Sequence, residues 1–371
     1  MTDLATTLTK LRRGAGRQVF KHADVPVGAD RLHDLAIGDG NPGQLRARTF
    51  VPEGLGRGAA LVVVLHGCTQ TASAYDHGAG WSKLAEEEGF AVLFPEQRQT
   101  NNPNLCFNWF SPIDQRRGSG EALSIRTMVA AMVAAYGIDE HRIFVTGLSA
   151  GGAMTSIMLA TYPDVFAGGA VIAGLPYGGV ATVGEAMARM RGNGHPSPDQ
   201  LVALVRAASD HRGPWPTLSV WHGAADSVVD PFNADCIVTQ WQALHGVEAQ
   251  SPASERVVGR LRRQWRDRNG RLVIEQWTID GMGHGTPIAA GGDHGCGTAG
   301  PYMLETGISS TRHIAQSWGL LATVGTSKLR PVAPVMPHPE PIAATMAPGR
   351  FQGNDVEAVI NDALRAAGLM R

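Results

Sequence analysis

The chain has 371 residues, 43% hydrophobic and 18% charged, with 32 Lys plus Arg against 33 Asp plus Glu. That composition builds a sizeable core, in one large domain or two ordinary ones, and excludes a mostly disordered chain. A formal charge of −1 makes no electrostatic case for nucleic acid as a partner, and no apolar run approaches the ~20 residues of a membrane span.

In chain order, Met1–Gly14 carries Lys10, Arg12 and Arg13 with no apolar stretch behind them. It reads as a short amphipathic helix rather than a signal peptide, so the expected location is cytoplasmic. Residues 1–39 form a lead-in. Leu45–Val51 alternates weakly and reads as a first strand. Ala60–Gly67 is a β-branched apolar run ending in Gly, the pattern of a strand buried on both faces. Phe90–Phe94, ended by Pro95, is a second such run, followed by Ile143–Thr146, Gly169–Ala173 and Thr217–Trp221. Helical patterns fall between them at Trp81–Glu88, Glu121–Tyr136 and Ala150–Thr161. Strands alternating with helices predict an α/β fold with a mainly parallel central sheet and helices on both faces. Residues 175–216 have helical patterns without a strand and are a candidate cap over the carboxyl edge of the sheet. Arg260–Arg266 and Leu272–Ile279 flank Asp267-Arg268-Asn269-Gly270, predicting two antiparallel strands around a turn. The predicted organisation is a catalytic domain over 40–322, then 323–371 as a Pro-rich linker and an amphipathic helix, Asp355–Met370.

The sharpest chemical signal is Gly147-Leu148-Ser149-Ala150-Gly151, a G-x-S-x-G between a predicted strand and a predicted helix. A nucleophile elbow needs that context: the serine sits in a tight turn, and the flanking glycines remove side chains that would clash. Without that context the match would be weak, a Gly-rich βα turn with an incidental serine; between a buried strand and a helix it is much stronger. A serine nucleophile needs a base, and the base an orienting acid. Asp226, just past the strand Thr217–Trp221, is the candidate acid, with Asp230 as competitor. His284, in a Gly-rich loop after Leu272–Ile279, is the candidate base, with His222 and His294 as competitors. The order Ser149, Asp226, His284, each after a strand, is that of α/β-hydrolases. The candidate oxyanion donors are the backbone N–H groups of Ala150 and Cys68, with Thr69 second to Cys68 in the same loop. Cys68 itself has no elbow around it, which argues against a thiol nucleophile. Trp109, in the aromatic stretch Phe107–Phe110, is either an apolar wall of the site or core packing. The four cysteines, Cys68, Cys106, Cys236 and Cys296, have no metal-site or C-x-x-C spacing, and their even number leaves disulfides open.

Taken together, Leu65-His66-Gly67-Cys68-Thr69-Gln70, Cys106-Phe107-Asn108-Trp109-Phe110, Gly147–Gly152 and Gly281-Met282-Gly283-His284-Gly285 resemble the poly(3-hydroxybutyrate) depolymerase family of esterases, related to feruloyl and acetylxylan esterases. The resemblance spans roughly residues 40–322, including Thr298–Tyr302 and Gly307–Thr311. It implies an α/β-hydrolase fold and ester hydrolysis by Ser149, Asp226 and His284, with Cys68 and Ala150 at the oxyanion positions and no metal or organic cofactor. It also implies that Cys68 and Cys106 are a pair that secreted relatives could bond. The expected substrates are poly(3-hydroxybutyrate), its oligomers and short acyl esters. Feruloyl or acetyl esters of plant polysaccharide are the first alternative. The second is a granule-surface binding protein with weak turnover, motivated by the Asp355–Met370 stripe. The sequence offers no reading of oligomeric state.

Overall fold

A computed structural model describes residues 30–321, apart from 257, 258, 293 and 294. The expectations for residues 1–29 and 322–371, the terminal helix among them, lie outside the described residues, as does His294. Strands β1 (His33–Asp34), β2 (Arg46–Phe50), β3 (Leu61–Leu65), β4 (Ala91–Glu96), β5 (Ile143–Leu148), β6 (Gly168–Ile172), β7 (Thr217–Gly223), β8 (Ala253–Arg256), β9 (Arg260–Arg266) and β10 (Leu272–Ile279) form one sheet. Its order is β1-β2-β4-β3-β5-β6-β7-β10-β9-β8. The six central strands, β4 to β10, run parallel, and both margins are antiparallel. A separate parallel pair joins β11 (Thr286–Ile288) to β12 (Met303–Glu305). This is the α/β-hydrolase architecture expected from the sequence.

Strand alternation builds the two cores. Leu61, Val63 and Leu65 face one apolar cluster while Val62 and Val64 face the other, since successive side chains point to opposite faces. On the first face pack helices α3 (Gly120–Tyr136), α4 (Ala150–Thr161) and α7 (Phe232–His245). On the second pack α1 (Ala72–Ala79), α2 (Trp81–Glu88) and α8 (Ser310–Ser317). Helices α5 (Val183–Met190) and α6 (Pro198–Ala207) occupy the long connection from β6 to β7. Each begins with a capping box, from Thr182 and Glu185 in α5 and from Ser197 and Gln200 in α6, which satisfies amides left open at a helix start.

Three strands run past their expected ends: β5 continues to Leu148, β7 continues to Gly223, and β4 passes its proline. Pro95 does not end β4, which continues to Glu96. Its missing N–H is tolerated because β3 pairs β4 only along Ala91–Leu93, while β2 pairs it as far as Glu96. Among the described residues, no helix is long and apolar enough to cross a membrane.

Candidate active site

Three loops at the carboxyl ends of parallel strands meet here. Ser149 lies between β5 and α4, at the N-cap of the helix, with φ +57° and ψ −115°, a positive-φ turn costly for a residue with a Cβ. The surroundings over-determine it. Ser149 N donates to Ile172 O at 2.9 Å, and Ala153 N donates to Ser149 O at 2.8 Å. A Cβ on Gly151 would lie 2.3 Å from Leu65 O, so only glycine lets α4 come this close to β3.

The candidate acid and base meet across two neighbouring strand ends. Asp226 Oδ2 lies 2.7 Å from His284 Nδ1. Asp226 Oδ1 accepts from Val228 N and Val229 N, both at 2.9 Å. A Cβ on Gly223 would lie 2.2 Å from Met282 O, and Ala225 N donates to Met282 O at 3.0 Å, so the two loops share backbone contact. Burial alone pushes the Asp226 carboxyl up. The hydrogen bonds and charges of His222 and His284 outweigh it and hold the group well below the usual carboxylate range. His222, a competitor for the base, is buried, with Nε2 2.8 Å from Val229 O and 3.3 Å from Asp226 Oδ2; it supports the acid's loop. Asp230, the competitor for the acid, accepts from Phe232 N at the start of α7 and donates its own N–H to Met190 O, which is turn work.

Ser149 and His284 line one cavity, with Gly67, Cys68, Thr69, Gln70, Leu148 and Tyr302. The His284 ring meets the edge of Tyr302 at 6.2 Å between centroids. In the loop after β3, Gly67 N donates to Gln70 Oε1, Thr69 N to Asn104 O and Gln70 N to Gly67 O. The amides of Cys68 and Ala150 have no such acceptor among the described residues. Two N–H groups therefore remain open beside Ser149, the arrangement that stabilises a developing oxyanion.

A second, apolar pocket adjoins Ser149, and Trp109 lies in its wall beside Phe110, Leu175 and residues of α5. Cys68 and Cys106, whose pairing the sequence left open, are joined by a disulfide, while Cys236 and Cys296 are free and buried. Sequence reasoning gave no site role to Tyr302, Gln70 or the individual α5 side chains, although Gln70 and Tyr302 lie in the stretches that carry the resemblance. Tyr302 carries φ +62°, which no residue pattern announces, and α5 reaches the pocket only through tertiary packing.

A serine on a strand-to-helix elbow in a sheet of this order defines an α/β-hydrolase. The model of the family described as esterase PHB depolymerase matches residues 48–264. Poly(3-hydroxyalkanoate) depolymerase C of Paucimonas lemoignei is 45% identical over 283 residues, 76% of this chain and 68% of that protein. Feruloyl esterase B of Neurospora crassa is 34% identical over 216 residues, 56% of this chain and 73% of that one. The solved acetyl xylan esterase from Aspergillus awamori shares the fold with a TM-score of 0.65 at 24% identity, over 78% of this chain and 99% of its own. The chain belongs to the PHB depolymerase esterase family and is a serine-type carboxylic-ester hydrolase.

Proposed function

We propose that Ser149 is the nucleophile, His284 the base and Asp226 the acid of this hydrolase, acting on poly(3-hydroxybutyrate), its oligomers and short-chain acyl esters. The observation that carries the reading is the 2.7 Å contact of Asp226 with His284 at a cavity that His284 shares with the Ser149 elbow. His284 Nε2 takes the Ser149 proton as Oγ bonds to the ester carbon. Asp226 holds the proton on Nδ1 and stabilises the imidazolium. The Cys68 and Ala150 amides receive the oxyanion. Collapse breaks the bond to the alkoxide, which leaves with the proton from His284. Water, deprotonated by the same His284, then releases the acid and restores Ser149.

Residues 175–216 serve in this reading as a cap segment, supported by α5 lining the apolar pocket, and Trp109 forms part of its wall. The 45% identity to a polyhydroxyalkanoate depolymerase favours polyester over polysaccharide esters. A granule surface as partner is supported only by the 355–370 stripe, outside the described residues. On compartment, our reading departs from the cytoplasmic expectation: a disulfide at the site supports an oxidising compartment.

The test compares hydrolysis of p-nitrophenyl butyrate with release of 3-hydroxybutyrate from oligomers and amorphous polymer, for wild type and Ser149→Ala. Both activities are expected in wild type, with a loss on the order of 10⁶-fold in the variant. Turnover of the small ester alone removes the polyester substrate, and a Ser149→Ala protein as active as wild type removes the nucleophile.

A further inference from the structure

Two separate hollows meet at Ser149, and they share only Ser149 and Cys68. One holds His284, with Thr69, Gln70 and Tyr302. The other holds Ala150 but not His284. Its wall is apolar: Leu175, Val229, the aromatic pair Trp109 and Phe110, and one face of α5. An ester on Ser149 also has two arms, and the chemistry distinguishes them. The departing alkoxide must collect a proton from His284 Nε2, so the alcohol arm has to lie within that imidazole's reach. The carbonyl oxygen is fixed between the Cys68 and Ala150 amides. The acyl arm then extends on the Ala150 side, away from His284.

We infer that the apolar pocket holds the acyl arm, with Val183, Met187 and Met190 of α5 setting the acyl length it accepts, and that the His284 hollow takes the alcohol arm. This rests on the proposed catalytic assignment and adds the orientation of the substrate. It also orders the second half of the reaction. The alcohol vacates the side that His284 faces, and water enters there, while the acyl group stays in the apolar pocket.

Helix α5 is built for this task. Val183, Ala186, Met187 and Met190 follow the three- and four-residue spacing that puts side chains on one helical face, and all four line the pocket. Methionine is unbranched and adapts to irregular space. The helix is also pinned to the loop of the acid. Asp230 N donates to Met190 O at 2.7 Å, and Asn233 Nδ2 donates to Arg189 O at 3.0 Å. The far wall of the pocket is thereby referenced to the loop that carries Asp226.

The experiment measures kcat/KM on p-nitrophenyl acetate, butyrate and octanoate, where only the acyl arm changes. A Met187→Ala, Met190→Ala double variant is expected to raise the octanoate-to-butyrate ratio about 10-fold, since one methylene in an apolar pocket is worth roughly 10-fold or more. Met187→Phe, which fills the pocket instead of emptying it, is expected to lower the same ratio, and it decides the matter if the double variant does not fold. Tyr302→Ala is expected to change discrimination among alkyl butyrates of different alcohols and to leave the acyl ratio alone. Unchanged acyl ratios in the α5 variants overturn the inference, as does an acyl ratio that follows Tyr302 instead. A parallel Ser149→Ala control separates this from the catalytic reading: a dead control with unmoved ratios ends only the arm assignment.

Discussion

The loops that carry the Ala150 and Cys68 amides, the two proposed oxyanion donors, are held differently: the first relies on glycines beside it in the chain, the second on a bond and contacts to distant residues. The elbow has Gly147, Gly151 and Gly152 within a few residues of the serine, and its strain is met by packing against β3 and β6. The Cys68 loop has a local turn between Gly67 and Gln70, but it is tied mainly to residues far along the chain. Its sulfur is bonded to Cys106, Thr69 N donates to Asn104 O at 2.7 Å, and His66 packs on Phe107 with ring centroids 5.0 Å apart. The partner loop is in turn held by Glu121 of α3, which accepts from Asn108 N at 2.8 Å, Asn108 Nδ2 at 2.7 Å and Gln97 Nε2 at 2.6 Å. Gln97 Nε2 also donates to Cys106 O at 3.0 Å. Local sterics thus fix the loop of one proposed donor, and a chain of long-range contacts fixes the loop of the other.

Breaking the local device has the largest expected effect. Gly151→Ala places a Cβ 2.3 Å from Leu65 O and 2.5 Å from His66 O, both backbone atoms that cannot yield without disturbing β3. A loss of about 3 kcal/mol or more in stability, with esterase activity near background, is expected in denaturant unfolding and kinetics. Gly56→Ala, with nothing within 4 Å of the added carbon, serves as the unaffected control. A folded, active Gly151→Ala enzyme would show that the elbow does not depend on this close approach.

Breaking the long-range device should be milder and more selective. A Cys68→Ala, Cys106→Ala double variant keeps both amides and removes only the bond between the loops. Stability should fall by about 2–4 kcal/mol, the usual contribution of a disulfide. The expected kinetic signature is a drop in kcat of about 10-fold with KM little changed. That loss is smaller than the 10²–10³-fold that removal of a whole oxyanion donor costs, because the amide remains but is less well placed. Equal kcat in the two proteins would mean that the hydrogen bonds of Gly67, Thr69 and Gln70 suffice to hold the Cys68 loop. Counting thiols in the protein from its own cells tests the compartment at the same time, since a cytoplasmic pool would keep Cys68 reduced.

The same contrast explains what was legible in the sequence. The central strands announced themselves as continuous apolar runs, and the elbow as a five-residue motif between a strand and a helix. Asp226 and His284 were legible because both follow strands in a known order, and the structure brings them together. Helix α1 was not, because its apolar row, Ala72, Tyr75 and Ala79, is short and interrupted by Asp76, His77 and Gly78; Thr71 caps it and tertiary packing holds it. Helix α7 was missed because Asp230-Pro231 reads as a turn, although Pro231 is its N-cap. The Cys68–Cys106 bond and the α5 wall depend on which loops meet at the sheet edge, and that is a property of the assembled fold.

The remaining effect concerns pH, and it sharpens the contrast because the long-range device contains a titratable group. Burial, reinforced by the negative charge of Asp114, pushes the Glu121 carboxyl up to about 8 from an ordinary 4.5, against the pull of its three donors. The folded protein therefore keeps this proton to higher pH than the unfolded chain does. Between about pH 4.5 and 8 the native state binds more protons, so Glu121 makes stability fall as pH rises, and the effect levels off above that window. Each pH unit there is worth at most about 1.4 kcal/mol for one such group. Glu121→Gln removes the ionisation while keeping a polar side chain of similar size. Relative to the variant, the wild type should lose thermal stability steadily from pH 5 to pH 8, measured as the difference in Tm at each pH. A constant difference across that range would mean that Glu121 stays ionised in the fold, held by Asn108 and Gln97 against the cost of its burial.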